Sequence, residues 1–333
     1  MSKWIVRFPL KVLGCSFALV GFAVLVLTAM IATPLESLPE LTSISQSARA
    51  VDRSSMPPLS RFSARDGTEL AYRHYPARGP ASGKIAILVH GSSGSSSSAH
   101  ALADALAARG VETYAPDIRG HGGSGTRGDV GFIGQLENDM ADLVALVRKT
   151  SPTEPLTLLG HSAGGGFALR IASSPIQDLF ARTVLLAPYL GYDAPTNRPG
   201  SGGWASADIP RFLGLTALRK LGIDCCESLP TLAFAVPANS AKILNPTYSY
   251  RLMRNFATRG YQVDFAAAHH PVTLIAGAAD ELMLADKYAD AVHAVAPSVE
   301  VKLIDGVDHM GIVGNAQGVA AVADDVANTR TGS

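Results

Sequence analysis

Residues 156–172, LTLLGHSAGGGFALRIA, carry the strongest fold signal in the chain. An apolar run typical of a buried strand leads into Gly160-His161-Ser162-Ala163-Gly164, and a segment compatible with a helix follows. The pattern G-x-S-x-G between a strand and a helix indicates a turn so tight that side chains at the two glycines would collide with their surroundings. It occurs once in this chain and predicts that Ser162 projects from the turn as a nucleophile.

On both sides of this stretch, short apolar runs alternate with amphipathic helical patterns. The predicted strands cover 84–90, 111–115, 156–160, 182–187, 271–277 and 299–304, and the predicted helices cover 100–110, 136–149 and 165–172. Such alternation is typical of a mostly parallel sheet with helices on both faces. Ahead of the first strand, Asp66-Gly67 lies between two segments of alternating polarity, which predicts an antiparallel hairpin. We therefore predict an α/β fold.

One interval interrupts the alternation. About 80 residues separate the strand that ends near Ala187 from the strand that begins at Pro271, and they contain a Gly/Pro-rich stretch and weakly helical segments. A long insertion above the carboxyl ends of sheet strands is where active-site lids are commonly built. Residues 190–265 are therefore predicted to form a cap.

Composition narrows the class of partner. The chain has 333 residues, of which 17% are charged, and its 28 Lys and Arg balance its 28 Asp and Glu. A neutral balance provides no long-range field to recruit a polyanion, so nucleic acid is not expected as a partner. The length is compatible with one large domain plus appendages.

The first appendage is an apolar N-terminal segment. Residues 12–32, VLGCSFALVGFAVLVLTAMIA, contain no charge, and about 20 apolar residues suffice for a helix to cross a bilayer. Lys3, Arg7 and Lys11 precede this run, and basic residues tend to stay on the cytoplasmic side. We predict that residues 1–33 form a single-pass membrane anchor, with the rest of the chain on the non-cytoplasmic side.

The second appendage is a connecting segment. Residues 34–58 are rich in Ser and Pro and show no sustained periodicity, which predicts a linker between the anchor and a folded domain at 59–333.

The alternative to an anchor is a cleaved signal, which would leave a secreted protein. The apolar run is longer than the usual signal core, and the small-x-small site Ala48-Arg49-Ala50 lies far beyond it. We therefore favour the uncleaved anchor.

Three motifs give the chain a specific resemblance to a known family. They are Leu88-Val89-His90-Gly91-Ser92, the run DIRGHGGS at 117–124, and GHSAGG at 160–165. With them the sequence resembles the α/β-hydrolase superfamily, and within it the monoacylglycerol-lipase, lysophospholipase and serine-aminopeptidase-like group. The resemblance covers about residues 59–327. It implies that the backbone N–H groups of Ser92 and Ala163 form an oxyanion hole, and that the 117–124 motif shapes the loop beside the site.

A serine nucleophile needs a base within hydrogen-bond reach, and in the resembled fold the chain order is serine, acid, histidine. The histidines beyond Ser162 are His269, His270, His293 and His309. His269 and His270 precede a predicted strand and so belong to the opposite edge of the sheet, while His293 falls within a helical stretch. His309 follows the last predicted strand, where the family places its base. We predict that His309 is the general base.

The orienting acid is expected directly after the strand at 271–277. There, Gly277-Ala278-Ala279-Asp280 matches the G-x-x-D turn of the family, so Asp280 is the predicted partner of His309. Glu281 is its nearest rival. The other acidic residues nearby are interpreted as a helix-start charge and solvated loop residues, namely Asp286, Asp305 and Asp308.

These residues predict a two-step acyl transfer through an acyl-enzyme. The expected substrate is a small-molecule or lipid ester with an apolar acyl group, because the cap offers an apolar lid and the resembled group is rich in lipases. A serine peptidase or amidase of the same fold is an alternative. A non-catalytic binding module is another, although such proteins usually lack a triad member and none is missing here. The sequence has no H-E-x-x-H, no paired C-x-x-C, and no G-x-G-x-x-G between a strand and a helix with an acid on the next strand. Residues 120–125 are rich in glycine but belong to the 117–124 motif, so neither a metal nor a cofactor is expected.

Overall fold

The computed structural model describes the backbone of residues 7–240 and 243–329, and the side chains of the same residues except 7–15 and 238. The strands are β1 (Ser60–Ser63), β2 (Glu69–Tyr75), β3 (Lys84–Val89), β4 (Val111–Pro116), β5 (Leu156–His161), β6 (Arg182–Leu186), β7 (Ala205–Ala207), β8 (Pro230–Phe234), β9 (Thr247–Ser249), β10 (Val272–Gly277) and β11 (Glu300–Ile304). The helices are α1 (Arg7–Ile31), α2 (Thr42–Ala50), α3 (His100–Ala108), α4 (Gln135–Val147), α5 (Ala163–Ala172), α6 (Ile209–Lys220), α7 (Tyr250–Asn255), α8 (Tyr261–Ala267), α9 (Tyr288–His293), α10 (Gly311–Gly314) and α11 (Ala316–Asn328).

The main sheet has eight strands in the order β1-β2-β4-β3-β5-β6-β10-β11. The two pairs at its start, β1 with β2 and β2 with β4, are antiparallel, and all pairs from β4 to β11 are parallel. The prediction of a mostly parallel sheet entered through an antiparallel hairpin is confirmed. Because the carboxyl ends of parallel strands meet at one edge, the loops after β3, β5, β10 and β11 come together there.

The burial of the central strands on both faces explains why the sequence predicted them. Every residue of β5 and nearly every residue of β3 is buried. Strands covered on both faces read as continuous apolar runs rather than as alternating patterns. The core therefore lies around the same strands that lead into the motifs at Ser92 and Ser162.

The insertion between β6 and β10 contains a second sheet. This sheet is antiparallel, with the order β7-β8-β9, and helices α6, α7 and α8 accompany it. The predicted cap interval thus contains a small sheet as well as helices. Its strands have only 3 to 5 residues, too few to show a clear period in the sequence.

The predicted anchor is not confirmed. Residues 12–32 overlap helix α1, but the side chains of residues 12–15 lie outside the described part of the structure. Within the described part, no helix is long and apolar enough to cross a membrane.

The segment at 34–58, predicted to be a linker, differs from an extended spacer. It includes α2, a helix of nine residues in which Ile44 and Ser45 are buried. Just before this helix, the Leu41 N–H donates a hydrogen bond to the Ala235 carbonyl in the cap, at 3.0 Å. A helix this short is marginal alone, so its formation depends on packing against the domain. Nine residues are also too few to show a sustained period in the sequence.

Candidate active site

The turn at Ser162 has the geometry that the G-x-S-x-G pattern predicts. Ser162 joins β5 to α5 with φ 55° and ψ −120°, a region that residues other than glycine rarely adopt. A Cβ at Gly160 would lie 2.0 Å from the Gly164 carbonyl oxygen, and a Cβ at Gly164 would lie 2.3 Å from the His90 carbonyl oxygen. The backbone passes so close at both positions that only glycine fits.

We expect Gly164→Ala to destabilise the protein by about 3 kcal/mol, the upper end of the usual cost of overpacking, because the new methyl group meets backbone atoms that cannot rotate away. The urea midpoint of unfolding measures this loss. Gly21→Ala is the matched control, since a Cβ at Gly21 has no atom within 4 Å. Equal midpoints for the two variants would contradict the tight packing of the turn.

The structure brings His309 and Asp280 together at the carboxyl edge of the sheet. Asp280 follows β10 and His309 follows β11, and His309 Nδ1 lies 2.8 Å from Asp280 Oδ2. The other oxygen, Asp280 Oδ1, accepts the backbone N–H groups of Leu282 and Met283 at 2.8 and 2.7 Å. The carboxylate is thereby held with one oxygen aimed at the ring, so Nδ1 carries a proton and Nε2 is left as the basic nitrogen.

The electrostatics of this pair favour its charged form. Burial opposes protonation of His309, but the charge of Asp280 and its hydrogen bond outweigh burial and raise the pKa of His309. Burial would likewise raise the pKa of Asp280, yet the charge of His309 and its hydrogen bond, together with the two backbone N–H groups, lower that pKa. Asp280 is therefore ionised wherever His309 titrates.

Ser162 and His309 line the same pocket. Between these two described side chains no hydrogen bond forms, and in enzymes without substrate such contacts often tighten only in the complex. The rival histidines lie elsewhere. His270 contacts Asp178 at 2.9 Å on the surface, and His293 Nε2 contacts the Val299 carbonyl at 3.0 Å.

Glu281, the rival acid, contacts the backbone of His309 instead of its ring. Its Oε2 accepts the His309 N–H at 3.0 Å, while its buried Oε1 has no hydrogen-bond partner among the described residues. Because of this position, the charge of Glu281 also raises the pKa of His309, after the larger effect of Asp280. From the sequence, Glu281 was considered only as a substitute for Asp280. Its contact with the backbone of His309 was not predicted.

His161, beside the nucleophile, is a further site residue that sequence reasoning missed. Its Nε2 lies 3.0 Å from the His309 carbonyl oxygen, to which it donates a hydrogen bond. Burial lowers the pKa of His161 to about 3, so the ring is neutral at ordinary pH. The bond therefore ties the turn that carries Ser162 to the loop that carries His309. The only signal in the sequence was the identity of this residue within the G-x-S-x-G motif.

The predicted oxyanion residues both lie near the nucleophile. Ser92 lines the pocket, and Ala163 begins α5 directly after Ser162. The turn that carries Ser92 is held by His90, whose Nδ1–H donates to the Gly91 carbonyl at 2.8 Å. The Nε2 of the same ring accepts the Ile118 N–H at 3.2 Å. Burial lowers the pKa of His90, which keeps the ring neutral and able to make both bonds.

The cap supplies a second set of contacts to the same turn. The Trp204 Nε1–H donates to Ser92 Oγ at 2.8 Å, and the Ser93 N–H donates to the Tyr248 hydroxyl oxygen at 2.6 Å. That hydroxyl lies 2.5 Å from His121 Nε2, a ring whose pKa burial holds well below its ordinary value. Because both aromatic residues lie in the cap, far from the turn in sequence, only the folded chain indicates their position.

The pocket above Ser162 is largely apolar. Its volume is about 520 Å³ including its opening to solvent. Apolar side chains from the cap, from the loops after β10 and β11, and from α2 line it, namely Ile44, Ala48, Trp204, Leu244, Leu282 and Met310. Among the described lining residues none is acidic or carries a fixed positive charge. The site can therefore take an apolar group close to the serine.

Comparisons with known proteins show which family this chain resembles. A family model described as "Serine aminopeptidase, S33" matches residues 80–313. A monoacylglycerol lipase from Mycolicibacterium smegmatis is 36% identical over 83 residues, which are 25% of this chain and 30% of that protein. A monoglyceride lipase homolog from Monkeypox virus is 28% identical over 111 residues, 33% of this chain and 40% of that protein. The chain thus spans less than half the length of these two curated relatives.

A longer match and a solved structure extend the comparison. An uncharacterized protein from Mycobacterium tuberculosis is 26% identical over 273 residues, 76% of each chain. A soluble variant of monoglyceride lipase from Saccharomyces cerevisiae shares the fold with a TM-score of 0.60 and 19% identity, covering 83% of this chain and 95% of that one. The resemblance inferred from the three sequence motifs is confirmed. The chain belongs to the family described as "Serine aminopeptidase, S33", and its fold is that of the α/β hydrolases.

Proposed function

We propose that the protein is a serine hydrolase that cleaves carboxylic esters with apolar acyl groups. The observation that carries the proposal is the strained Ser162 turn opening into an apolar pocket that His309, hydrogen-bonded to Asp280, also lines. A nucleophile, a base and an orienting acid in this order are the parts that acyl transfer requires. In the proposal Ser162 attacks, His309 carries the proton and Asp280 holds the imidazole.

The proposed reaction has two balanced halves. His309 Nε2 takes the proton of Ser162 as Oγ bonds to the ester carbonyl carbon, and the negative oxygen accepts the N–H groups of Ser92 and Ala163. The ester C–O bond then breaks, and the leaving alcohol takes the proton from His309. Water next attacks the acyl-enzyme, again giving its proton to His309, which returns it to Ser162 as the acid leaves.

Pocket chemistry supports an ester over a peptide with a free amino terminus. An ammonium group bound beside Ser162 would need a carboxylate, because a buried charge without a partner is costly. No acidic side chain is among the described residues that line the pocket. The apolar lining suits a hydrocarbon chain, and the names of two relatives, monoacylglycerol lipase and monoglyceride lipase homolog, are compatible with a lipid-like ester.

A fluorophosphonate probe followed by p-nitrophenyl esters of graded chain length tests the proposal. We expect labelling at Ser162 and hydrolysis that prefers esters over the matched amino-acid p-nitroanilides. Preferential cleavage of the anilides would favour the serine peptidase or amidase of the same fold. Absence of both labelling and turnover in a folded protein would favour a binding module.

The pH dependence follows from the raised pKa of His309. The base works only when neutral, so activity should fall as the pH drops through a midpoint higher than that of an ordinary histidine. Glu281→Gln removes one of the charges that raise this pKa, so the acid limb of kcat/KM should move to lower pH. The Gln side chain still accepts the His309 N–H and limits the damage. An acid limb that stays in place or moves to higher pH would contradict the assignment of His309 as base.

We also propose that residues 12–32 anchor the protein, with the catalytic domain on the non-cytoplasmic side. In the described part of α1, large apolar side chains are strongly exposed, among them Phe17 (71%), Phe22 (68%) and Leu25 (67%). Such surface is unfavourable in water and suits lipid. Helix α2 ends at Ala50, the last residue of the small-x-small site Ala48-Arg49-Ala50. Cleavage of a signal after Ala50 would therefore remove helix α2 from the domain.

Extraction of membranes with alkaline carbonate tests the anchor. We expect the full chain to stay in the pellet and to need detergent, whereas Val20→Arg with Val24→Arg should release it, since each charge near a helix centre costs about 2.5–3.5 kcal/mol on insertion. External protease on intact cells, or on spheroplasts if the source is a double-membraned bacterium, should remove a C-terminal tag without lysis. Digestion of the tag only after lysis would reverse the proposed topology, and a mature N-terminus near Val51 would indicate a cleaved signal.

A further inference from the structure

Helix α2 contributes to the pocket although it lies outside the part of the chain that defines the family. The family match covers residues 80–313, whereas α2 spans Thr42–Ala50. Ile44 and Ala48 of this helix nevertheless line the same pocket as Ser162. The two residues are one turn apart and share one face of the helix, and Ile44 is only 7% exposed.

The segment around α2 is attached at three separate places around the pocket. On the cap side, the Leu41 N–H donates to the Ala235 carbonyl at 3.0 Å. On the side of the base, Ser47 Oγ donates to Asp308 Oδ2, the residue before His309, at 3.3 Å.

The third attachment lies beside the oxyanion turn. Arg53 Nε donates to the Ser97 carbonyl at 3.1 Å, and the same guanidinium caps the end of α2 by donating to the Ala48 carbonyl at 2.8 Å. These contacts reach the cap, the base loop and the segment after Ser92. Helix α2 therefore crosses the pocket and is held at both of its ends.

We infer that Ile44 and Ala48 form the wall of the acyl-binding pocket that sets the length of acyl chain the enzyme accepts. The inference rests on the proposed function, because it assigns the pocket above Ser162 to the acyl group. The branched side chain of Ile44 occupies space in a pocket that Trp204 and Leu282 also line, while the small side chain of Ala48, one turn away, leaves room. The N-terminal segment thus selects the substrate that the catalytic domain hydrolyses.

Variants of Ile44 in the full chain test this inference with p-nitrophenyl esters from acetate to palmitate. We expect Ile44→Trp to lower kcat/KM for the longer esters by roughly 10-fold or more while acetate changes little, since single methylene groups in an apolar pocket are discriminated by about that factor. Ile44→Ala should move the preferred chain to greater length. Gln46→Trp and Gln46→Ala are matched controls, because Gln46 lies on the exposed face of the same helix.

Fluorophosphonate labelling of Ser162 separates the two possible failures. If the wild-type protein labels and hydrolyses esters but the Ile44 and Gln46 variants keep its chain-length profile, the wall assignment is overturned and the proposed function stands. A uniform change in kcat/KM at all lengths would also overturn it, because that result indicates a lid or a distorted site. If the wild-type protein neither labels nor turns over, both proposals fail. Should Ile44→Trp unfold, Ala48→Leu tests the same wall and should shorten the preferred chain.

Discussion

Replacing Ser162 with alanine is expected to lower kcat for ester hydrolysis by about 10⁴–10⁶-fold and to abolish labelling by fluorophosphonates. The hydroxyl is the attacking group in the proposed reaction, and Ser162 is the residue of the turn that brings a hydroxyl to the pocket. Steady-state turnover of a short ester, together with gel detection of the probe, measures both effects. Residual activity above the uncatalysed rate would reflect binding and oxyanion stabilisation alone.

Folding should survive this change. The Ser162 N–H donates to the Leu186 carbonyl at 2.9 Å, a backbone contact that alanine retains, and the side chain removed is small. Ser98→Ala is a matched control, because Ser98 lines the same pocket but its Oγ donates to the Ser95 carbonyl at 2.7 Å. We expect the control to keep most of the activity. Wild-type turnover by Ser162→Ala would remove Ser162 as the nucleophile.

The second large effect is expected at His309. His309→Ala should reduce kcat nearly as much as loss of the serine, because members of a triad act as a unit and the serine without a base is a weak nucleophile. Asp280→Asn should be damaging but retain more activity, since the acid holds the tautomer and does not itself take the proton. Turnover of the three proteins on one ester, at a pH well above the pKa of His309, measures this order.

The rival histidines are the controls for this prediction. His293 contacts the Val299 carbonyl and His270 contacts Asp178, so neither side chain lies in the pocket. His293→Ala and His270→Ala should therefore change kcat little. An inactive His293→Ala protein beside an active His309→Ala protein would mean that the base had been assigned to the wrong end of the sheet.

The local pattern around Ser162 was sufficient to predict the central part of the fold. An apolar run before the turn and a helical pattern after it predict a strand, a turn and a helix. The flanking glycines allow the sharp turn that joins such a strand to such a helix. Parallel strands then bring their carboxyl ends to one edge, and the resembled family has its acid and its base after the strands that correspond to β10 and β11, which indicated Asp280 and His309. The turn depends on residues that are neighbours in the chain, and the order of the strands can be read directly from the sequence.

The walls of the site could not be predicted in this way. Three residues of these walls come from segments that are far from the turn in sequence, namely Ile44, Trp204 and Tyr248. None of them lies in a pattern regular enough to predict the helix, strand or loop that contains it. Their positions depend on how the cap and α2 pack over the sheet edge, and packing of short elements is determined by the surfaces they meet, not by their own propensity. Local sequence and the family resemblance were therefore enough to choose the proposed nucleophile, base and acid, whereas the shape of the proposed acyl pocket depends on contacts that exist only once distant segments have folded together.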